Sequence, residues 1–208
     1  MSDGRSVTWA KDGSAGAVAA HIARVIDLNP RARIAVPGGS TPLPIFEELV
    51  GRGIDWSGVT LMLGDDRIVE PGHAASNQAK LEGAFCATEA TIVALEEGME
   101  VPDLDLLWLG MGSDGHIASL FPEMKTEDVE GRRVIRTEPV PLSAEAPFPR
   151  LSMNMEALTQ APREIILVAR GEDKKRVIEA AISGSITLPI TTLIARATCP
   201  ITIYWSAE

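Results

Sequence analysis

The sequence predicts an α/β protein in which a mostly parallel sheet is flanked by helices. Three observations support this fold class. Apolar runs of strand length recur along the chain, amphipathic segments with helical spacing follow several of them, and glycine-rich turns connect the two. No segment repeats another. We therefore expect one domain spanning residues 1–208, which is long enough to bury a sizeable core.

The predicted elements alternate over most of the chain. A helix is expected over residues 14–28, because Val18, Ile22 and Val25 recur on one face and Pro30 follows its end. Further helices are expected through Ile45, from Ser76, at the start of the segment after Gly115, over residues 155–160, and after Gly171. Strands are expected at residues 5–10, 33–36, 59–63, 91–95, 104–109, 133–136, 165–169 and 201–205. Residues 123–130 and the segment marked by Pro139, Pro141, Pro147 and Pro149 are predicted to be surface loops.

Composition and charge exclude several classes of protein. Hydrophobic residues make up 45% and charged residues 23% of the chain, as in ordinary globular proteins. No apolar run reaches the roughly 18 to 20 residues that a membrane helix needs, and the N-terminus lacks signal-peptide order, so we expect a cytoplasmic location. The net charge of −10 argues against nucleic acid or an anionic membrane as a partner. A phosphorylated substrate would need a locally basic pocket.

The cysteines and histidines do not indicate a metal site. Cys86 and Cys199 are far apart and are expected to be free, buried thiols. His21, His73 and His116 share no metal-ligand spacing, so we predict no metal. His21 lies beside an apolar helix face and is interpreted as structural, and His73 as exposed or in the surroundings of the site.

The most informative stretch covers residues 104–122, where an apolar strand is followed by a glycine-rich turn. Asp114 and His116 stand in this turn, set among Gly110, Gly112 and Gly115. Imidazole titrates near neutral pH, and a neighbouring carboxylate can fix its tautomer and stabilise the imidazolium. The pair therefore suits general-base chemistry, although a histidine in such a position can also be structural.

The same glycines match the pattern of a dinucleotide-binding turn, but the context does not. Asp114 would stand where a pyrophosphate needs positive potential, and Pro122 cuts short the helix that should follow. We therefore expect no nucleotide cofactor.

A second glycine turn, Gly38-Gly39-Ser40-Thr41, follows the predicted strand at residues 33–36. A hydroxyl cap with Pro42 early in the next helix would direct free backbone N–H groups at the strand end, which makes an anion site. A plain capped turn is the alternative. No Gly-Lys-Ser or Gly-Lys-Thr follows, so the turn is not a P-loop.

These motifs together resemble the glucosamine-6-phosphate isomerase/6-phosphogluconolactonase family. Residues 110–122 match the lactonase signature Gly-x-Gly-x-Asp-Gly-His-x-Ala-Ser-Leu-Phe-Pro, whereas the deaminases and isomerases continue after His-x-Ala with Phe-Asn-Glu-Pro. Gly38 to Pro42 match the first lactonase motif. Residues 149–152 match Pro-Arg-[Ile/Leu]-[Ser/Thr], and residues 171–174 match Gly-x-x-Lys. The chain departs from the pattern at Asp66, where the family has Glu in Asp-Glu-Arg, and at Ser206, where it often has Asp.

The resemblance implies a Rossmann-like fold shared by sugar-phosphate deaminases and ribose-5-phosphate isomerase. It also implies hydrolysis of 6-phospho-D-glucono-1,5-lactone to 6-phospho-D-gluconate in the pentose phosphate pathway. His116 would activate the water molecule, and Asp114 would orient the imidazole of His116. A δ-lactone is an activated ester that needs a base, oxyanion donors and a phosphate anchor. Arg67, Arg150 and Lys174 are the expected phosphate-binding cations. The other expected substrate-binding residues are Gly38, Gly39, Ser40, Thr41, Asp65 and Gly112.

Two other functions fit part of the pattern. An amino-sugar-phosphate deaminase or isomerase would use the same pocket, but the Asn-Glu-Pro element of those enzymes is absent from this sequence. A non-catalytic sugar-phosphate sensor would keep the anion site but would have no need of Asp114 and His116.

Overall fold

The computed structural model describes residues 6–122, 124, 129–138 and 147–207. The strands in these ranges are β1 (Val7–Trp9), β2 (Arg33–Val36), β3 (Thr60–Leu63), β4 (Asp65–Arg67), β5 (Thr91–Val93), β6 (Leu106–Gly110), β7 (Val134–Thr137), β8 (Arg150–Met153), β9 (Ile165–Arg170) and β10 (Ile201–Ser206). The helices are α1 (Ala15–Leu28), α2 (Leu43–Val50), α3 (Asn77–Phe85), α4 (Met155–Gln160), α5 (Glu172–Ile182) and α6 (Pro189–Arg196). Pro139 and Pro141 of the predicted proline loop, and most of residues 123–130, lie outside the described residues.

The larger sheet is parallel throughout, in the order β1-β10-β9-β6-β2-β3-β5. The order reverses beside β2: the chain proceeds from β2 to β3 and β5 on one side and then returns to β6 on the other. Ligands of open α/β sheets bind beyond the carboxyl ends of the strands at such a reversal. The two glycine turns, after β2 and after β6, meet at this point. The predicted α/β class with a mostly parallel sheet is confirmed.

Helices cover both faces of this sheet because its central strands are apolar on both faces. Along β6, Leu106 and Trp108 pack into a core with α1, α2 and α3, whereas Leu107 and Leu109 pack into a second core with α4, α5 and α6. All four side chains are buried. This double burial fixes β6 in the middle of the molecule and with it the position of the turn that follows.

A second, antiparallel sheet with the order β4-β8-β7 lies beside the carboxyl end of β3. Its register places Arg67 opposite Arg150 and Asp65 opposite Ser152. The sequence indicated β7 but not β4 or β8, because β4 is three residues long and polar, and β8 follows a proline-rich segment. This small sheet brings together two of the predicted binding motifs.

The predicted short helix after Gly115 is wrong. The chain folds back on itself instead, with isolated bridges from Met111 to Ile117 and from Ile117 to Leu120. Gly115 has a φ of +80° and Ala118 a φ of +47°, and a right-handed helix requires negative φ at both positions. The backbone therefore forms a compact turn that presents residues 112–118 to the pocket.

The expected hydroxyl cap of α2 and the expected burial of Cys86 are also wrong. Pro42 is the N-cap of α2, and no side chain of the described residues caps the helix. The Leu43 amide donates instead to the Ser40 carbonyl oxygen at 3.2 Å. Cys86 follows the end of α3 and is exposed, whereas Cys199 is buried. Both cysteines are free, as predicted.

No helix in the described ranges combines the length and the apolar character needed to cross a bilayer.

Candidate active site

A pocket of about 290 Å³ opens at the carboxyl ends of β2, β6 and β9, at the reversal of strand order. Its volume suits a small metabolite. The backbone turns and side chains around it belong to Pro37, Gly38, Gly39, Thr41, Pro42, Gly64, Asp65, Arg67, Asn77, Trp108, Leu109, Gly110, Met111, Gly112, His116, Ala118, Arg150, Val168, Arg170 and Lys174. Most of the predicted site residues are in this set. Ser40 and Asp114 are not: Ser40 is exposed, and Asp114 contacts the pocket through His116.

His116 faces the pocket and is held by Asp114. Its Nδ1 lies 2.6 Å from Asp114 Oδ1, and its backbone N–H donates to the same oxygen at 3.2 Å. A carboxylate only accepts hydrogen bonds, so Nδ1 carries the proton and Nε2 of the neutral ring has the free lone pair. The imidazole ring also packs on Phe121, with 4.5 Å between ring centroids. The arrangement leaves Nε2 as the proton acceptor.

Gly112 makes the approach of these two side chains possible. A Cβ at this position would lie 2.2 Å from His116 Nδ1 and 2.4 Å from Asp114 Oδ1, distances that real Cβ contacts do not show. The Gly112 amide donates to the His116 carbonyl oxygen at 3.0 Å, which closes the turn. Ala118, in the same turn, is the non-glycine residue with positive φ among the described residues. Such strained conformations cluster at functional sites.

The turn after β2 forms the opposite wall, with Gly38, Gly39 and Thr41 lining the pocket. Asn77, which begins α3, fixes this turn: its Oδ1 accepts from the Gly39 amide at 3.1 Å and from Arg67 Nη1 at 2.9 Å. A Cβ on Gly38 would lie 1.9 Å from Asn77 Nδ2. One side-chain amide thus connects the glycine turn to Arg67.

Arg67 and Arg150 enter from the small sheet. Arg67 Nη1 also donates to the Ala75 carbonyl oxygen at 2.8 Å. Arg150 is buried, donates through Nε to the Phe148 carbonyl oxygen at 3.2 Å, and lies over the Phe121 ring with its Cζ 5.9 Å from the centroid. Although Arg150 follows a proline-rich segment, it is therefore not an exposed surface charge.

The two neighbouring carboxyl groups differ in function. Asp65 lines the pocket and accepts from Ser119 Oγ at 2.5 Å. Burial raises the pKa of Asp65, against the opposing effects of the Ser119 hydrogen bond and of Arg67 and Arg150. Asp66 points the other way and accepts hydrogen bonds from the first backbone amides of α3.

Lys174 and Arg170 complete the pocket on the side of β9 and α5. Burial lowers the pKa of Lys174, Arg170 lowers it further, and Asp114 acts in the opposite sense. Burial also lowers the pKa of Arg170. Lys174, which was predicted from its motif, lies on the pocket, and its role in binding stays a prediction.

Arg170, Asn77 and Trp108 are pocket residues that the sequence analysis did not single out. The signal for Arg170 is its place at the carboxyl end of a buried strand, directly before Gly171, where a polar residue faces the ligand edge of a parallel sheet. Asn77 directly follows Ser76, from which the sequence predicted a helix. Trp108 has the pattern of a core residue, and its buried Nε1 has no hydrogen-bond partner among the residues that the structure describes.

The other histidines lie outside the pocket. His21 contacts the Tyr204 hydroxyl at 2.7 Å and Glu164 at 3.0 Å, which fits its structural interpretation. His73 is exposed and its ring lies against Phe148. Among the residues that the structure describes, no group of three or more His, Cys, Asp or Glu side chains could hold a metal ion.

Comparison with known proteins identifies the family. The model of glucosamine-6-phosphate isomerases/6-phosphogluconolactonase matches residues 10–202. A 6-phosphogluconolactonase of Rhizobium meliloti is 34% identical over 215 residues, covering 91% of this chain and 90% of the relative. A second one, of Neisseria meningitidis serogroup A, is 32% identical over 195 residues, with 82% of each chain covered.

Solved structures agree with this result. The crystal structure of a 6-phosphogluconolactonase from Shewanella baltica has a TM-score of 0.77 at 26% identity and covers 98% of both chains. The 6-phosphogluconolactonase from Trypanosoma brucei has a TM-score of 0.80 at 18% identity, covering 97% of this chain and 96% of that one, which shows the shared fold. The chain belongs to the family of glucosamine-6-phosphate isomerases and 6-phosphogluconolactonases.

Proposed function

We propose that the protein hydrolyses 6-phospho-D-glucono-1,5-lactone to 6-phospho-D-gluconate, the second step of the pentose phosphate pathway, in the cytoplasm. The observation that carries this proposal is the imidazole of His116, oriented by Asp114 at 2.6 Å in a pocket lined by cationic side chains. The relatives that are at least 30% identical over most of the chain have the same name, 6-phosphogluconolactonase. Ser119 to Pro122 also follow the lactonase and not the deaminase pattern.

The reaction requires no nucleophilic side chain. His116 Nε2 takes a proton from water as the water oxygen bonds to the lactone carbonyl carbon, and Asp114 stabilises the imidazolium that forms. When the tetrahedral intermediate collapses, the bond from that carbon to the ring oxygen breaks. The imidazolium returns its proton to the leaving ring oxygen, which becomes a hydroxyl group. The acid product then ionises in water.

Donors must hold the carbonyl oxygen as it becomes negative. Three glycine amides that could serve already have partners, because the Gly39 amide donates to Asn77, the Gly112 amide to the His116 carbonyl oxygen and the Gly115 amide to the Gly112 carbonyl oxygen. In this proposal the cations predicted from the sequence motifs, Arg67, Arg150 and Lys174, therefore supply positive charge for both the oxyanion and the substrate phosphate.

A coupled assay that oxidises 6-phosphogluconate as it forms tests the function. We expect the protein to accelerate lactone hydrolysis clearly above the spontaneous rate and to release no ammonia from glucosamine 6-phosphate. Ammonia release would indicate the deaminase alternative. Tight binding of 6-phosphogluconate without acceleration of either reaction would indicate a sensor.

A further inference from the structure

The four cations on the pocket fall into two groups with different surroundings. Arg67 and Arg150 face each other across β4 and β8, and both are accompanied by the carboxyl groups of Asp65 and Asp66 on β4. These two carboxyl groups act on the pKa of Arg150, raising it against the effects of burial and of Arg67. The first group therefore has two carboxyl groups beside its two guanidinium groups, so part of its positive charge is already compensated within the protein.

Arg170 and Lys174 form the second group, and neither has an ion pair with any carboxylate in the described part of the chain. Among the described residues, Arg170 Nη1 donates to the Ala169 carbonyl oxygen at 3.1 Å and to the Tyr204 carbonyl oxygen at 3.5 Å. Its neighbour in register on β10 is Ser206, which has no charge. Asp114 acts on Lys174 electrostatically, but its carboxylate is hydrogen-bonded to His116.

Two neighbouring half-buried cations destabilise the folded protein unless an anion binds to them. Removal from water disfavours each charge, and each disfavours the other. Both side chains line the pocket, so a ligand can reach them. A bound group with two negative charges would compensate both cations, whereas a group with one negative charge would leave one positive charge uncompensated.

We infer that Arg170 is a specificity-determining residue which, together with Lys174, binds the substrate phosphate as its dianion. This inference rests on the proposed function, because it assumes a phosphorylated lactone. It assigns Arg67 and Arg150 to the oxygen atoms of the lactone ring and carbonyl group. A phosphate monoester has a second pKa of about 6, so it is mostly dianionic at neutral pH.

The decisive variant is Arg170→Gln, which keeps a polar, hydrogen-bonding side chain but removes the charge. We expect the KM for the phosphorylated lactone to rise about 10- to 100-fold, the change that corresponds to one lost charge-assisted hydrogen-bonded contact, with a much smaller fall in kcat. Arg170→Lys should recover part of the affinity. Arg176→Gln is the matched control, because Arg176 is one residue beyond Lys175 on α5, exposed, and paired with Asp173.

A binding measurement tests the inference without turnover. Calorimetry gives the Kd of 6-phosphogluconate at constant ionic strength, and sulfate and methanesulfonate then compete for the same site. These competitors both present tetrahedral oxygen atoms but differ by one charge. The wild type should be displaced by sulfate at much lower concentration than by methanesulfonate, and Arg170→Gln should reduce that preference at least several-fold.

The inference is overturned if Arg170→Gln, shown to be folded by circular dichroism, keeps the wild-type Kd for 6-phosphogluconate and the preference for sulfate within about twofold. Equal weakening of both competitors would also overturn it, because the residue would then not respond to ligand charge. Failure of the proposed function would give a different result. The wild type would then not hydrolyse the lactone, independently of the Kd values that calorimetry gives for the wild type and the variants.

Discussion

At the level of single residues, His116 is the group on which the proposed chemistry depends. His116→Asn keeps a polar, hydrogen-bonding side chain but removes the basic ring nitrogen. We expect kcat to fall about 10²- to 10⁴-fold. The Kd of 6-phosphogluconate should change little, because the cations remain in place. Steady-state kinetics with subtraction of the spontaneous rate measure the change in kcat, and calorimetry measures the Kd.

The result that would contradict this prediction is an Asn variant within a few fold of the wild type. The base would then have to be another group on the pocket. Asp66 does not qualify, because it accepts hydrogen bonds from the backbone amides of Asn77 and Gln78. Asp65 would be the remaining carboxyl candidate, since it faces the pocket and burial raises its pKa.

Lys174 should make substrate binding sensitive to alkaline pH. Its lowered pKa means that it loses its proton at a lower pH than a free lysine does, and binding of an anion requires the protonated form. We expect the KM for the phosphorylated lactone to rise as pH increases through this lowered pKa, while kcat changes less because the bound phosphate favours the ammonium form. Lys174→Met should have a high KM that no longer depends on alkaline pH. A wild-type KM that is constant up to the pKa of free lysine would contradict the prediction.

The residues of the site were predictable to different degrees. His116, Asp114, Arg67 and Lys174 each belong to a motif, so their types and spacing carry the signal. Arg170 has no motif of its own, and its part in the pocket follows from the position of β9 next to β6, which a linear pattern does not give.

At the level of elements, Asp66 anchors the start of α3. Its Oδ1 accepts from the Asn77 amide at 2.7 Å and its Oδ2 from the Gln78 amide at 3.0 Å, while Ser76 Oγ accepts from the Ala79 amide. A carboxylate at a helix N-terminus is also favoured by the helix dipole. The side chain that replaces the family glutamate therefore has a structural task in this chain.

We expect Asp66→Asn to reduce the free energy of unfolding by about 1.5 to 3 kcal/mol, since hydrogen bonds to a buried charged group are lost or weakened. Urea denaturation measures this change. Asp27→Asn is a suitable control, because Asp27 is exposed at the end of α1. Equal stability of the two variants would mean that Asp66 does not hold α3. A loss of activity larger than the loss of folded protein would show an effect on the neighbouring Arg67.

The regular elements of the parallel sheet were predicted well, because buried parallel strands are apolar over their whole length and their helices have clear periodicity. Other features were not, including the helix α6, for which the sequence analysis gave no element. The strands β4 and β8 are short and partly polar, and they pair only through tertiary contacts. The turn after β6 resembled a helix start, since composition alone does not reveal the positive φ of Ala118. The cap of α2 depends on a backbone hydrogen bond from Leu43 that no side-chain pattern indicates.

At the level of the whole molecule, charge is separated between surface and pocket. The chain has a net charge of −10, yet its pocket holds four cations. The pocket is assembled from segments far apart in the sequence, namely the turns after β2 and β6, the small sheet, and the junction of β9 with α5. A ligand that contacts all of them should stabilise them together, because it binds the folded state only.

This assembly predicts where bound 6-phosphogluconate should slow amide hydrogen exchange. Protection should increase in residues 37–41 and 110–118, in β4 and β8, and at the start of α5, which all lie at the carboxyl edge of the parallel strands. The opposite edge, including the turn at residues 55–59 before β3, should exchange at its unliganded rate. A ligand at 100 times its Kd should also add about 2.7 kcal/mol to the free energy of unfolding. Protection confined to the opposite edge would place the ligand elsewhere. Protection of the glycine turns without β4, β8 and α5 would show that the small sheet and the cations near β9 do not take part in binding.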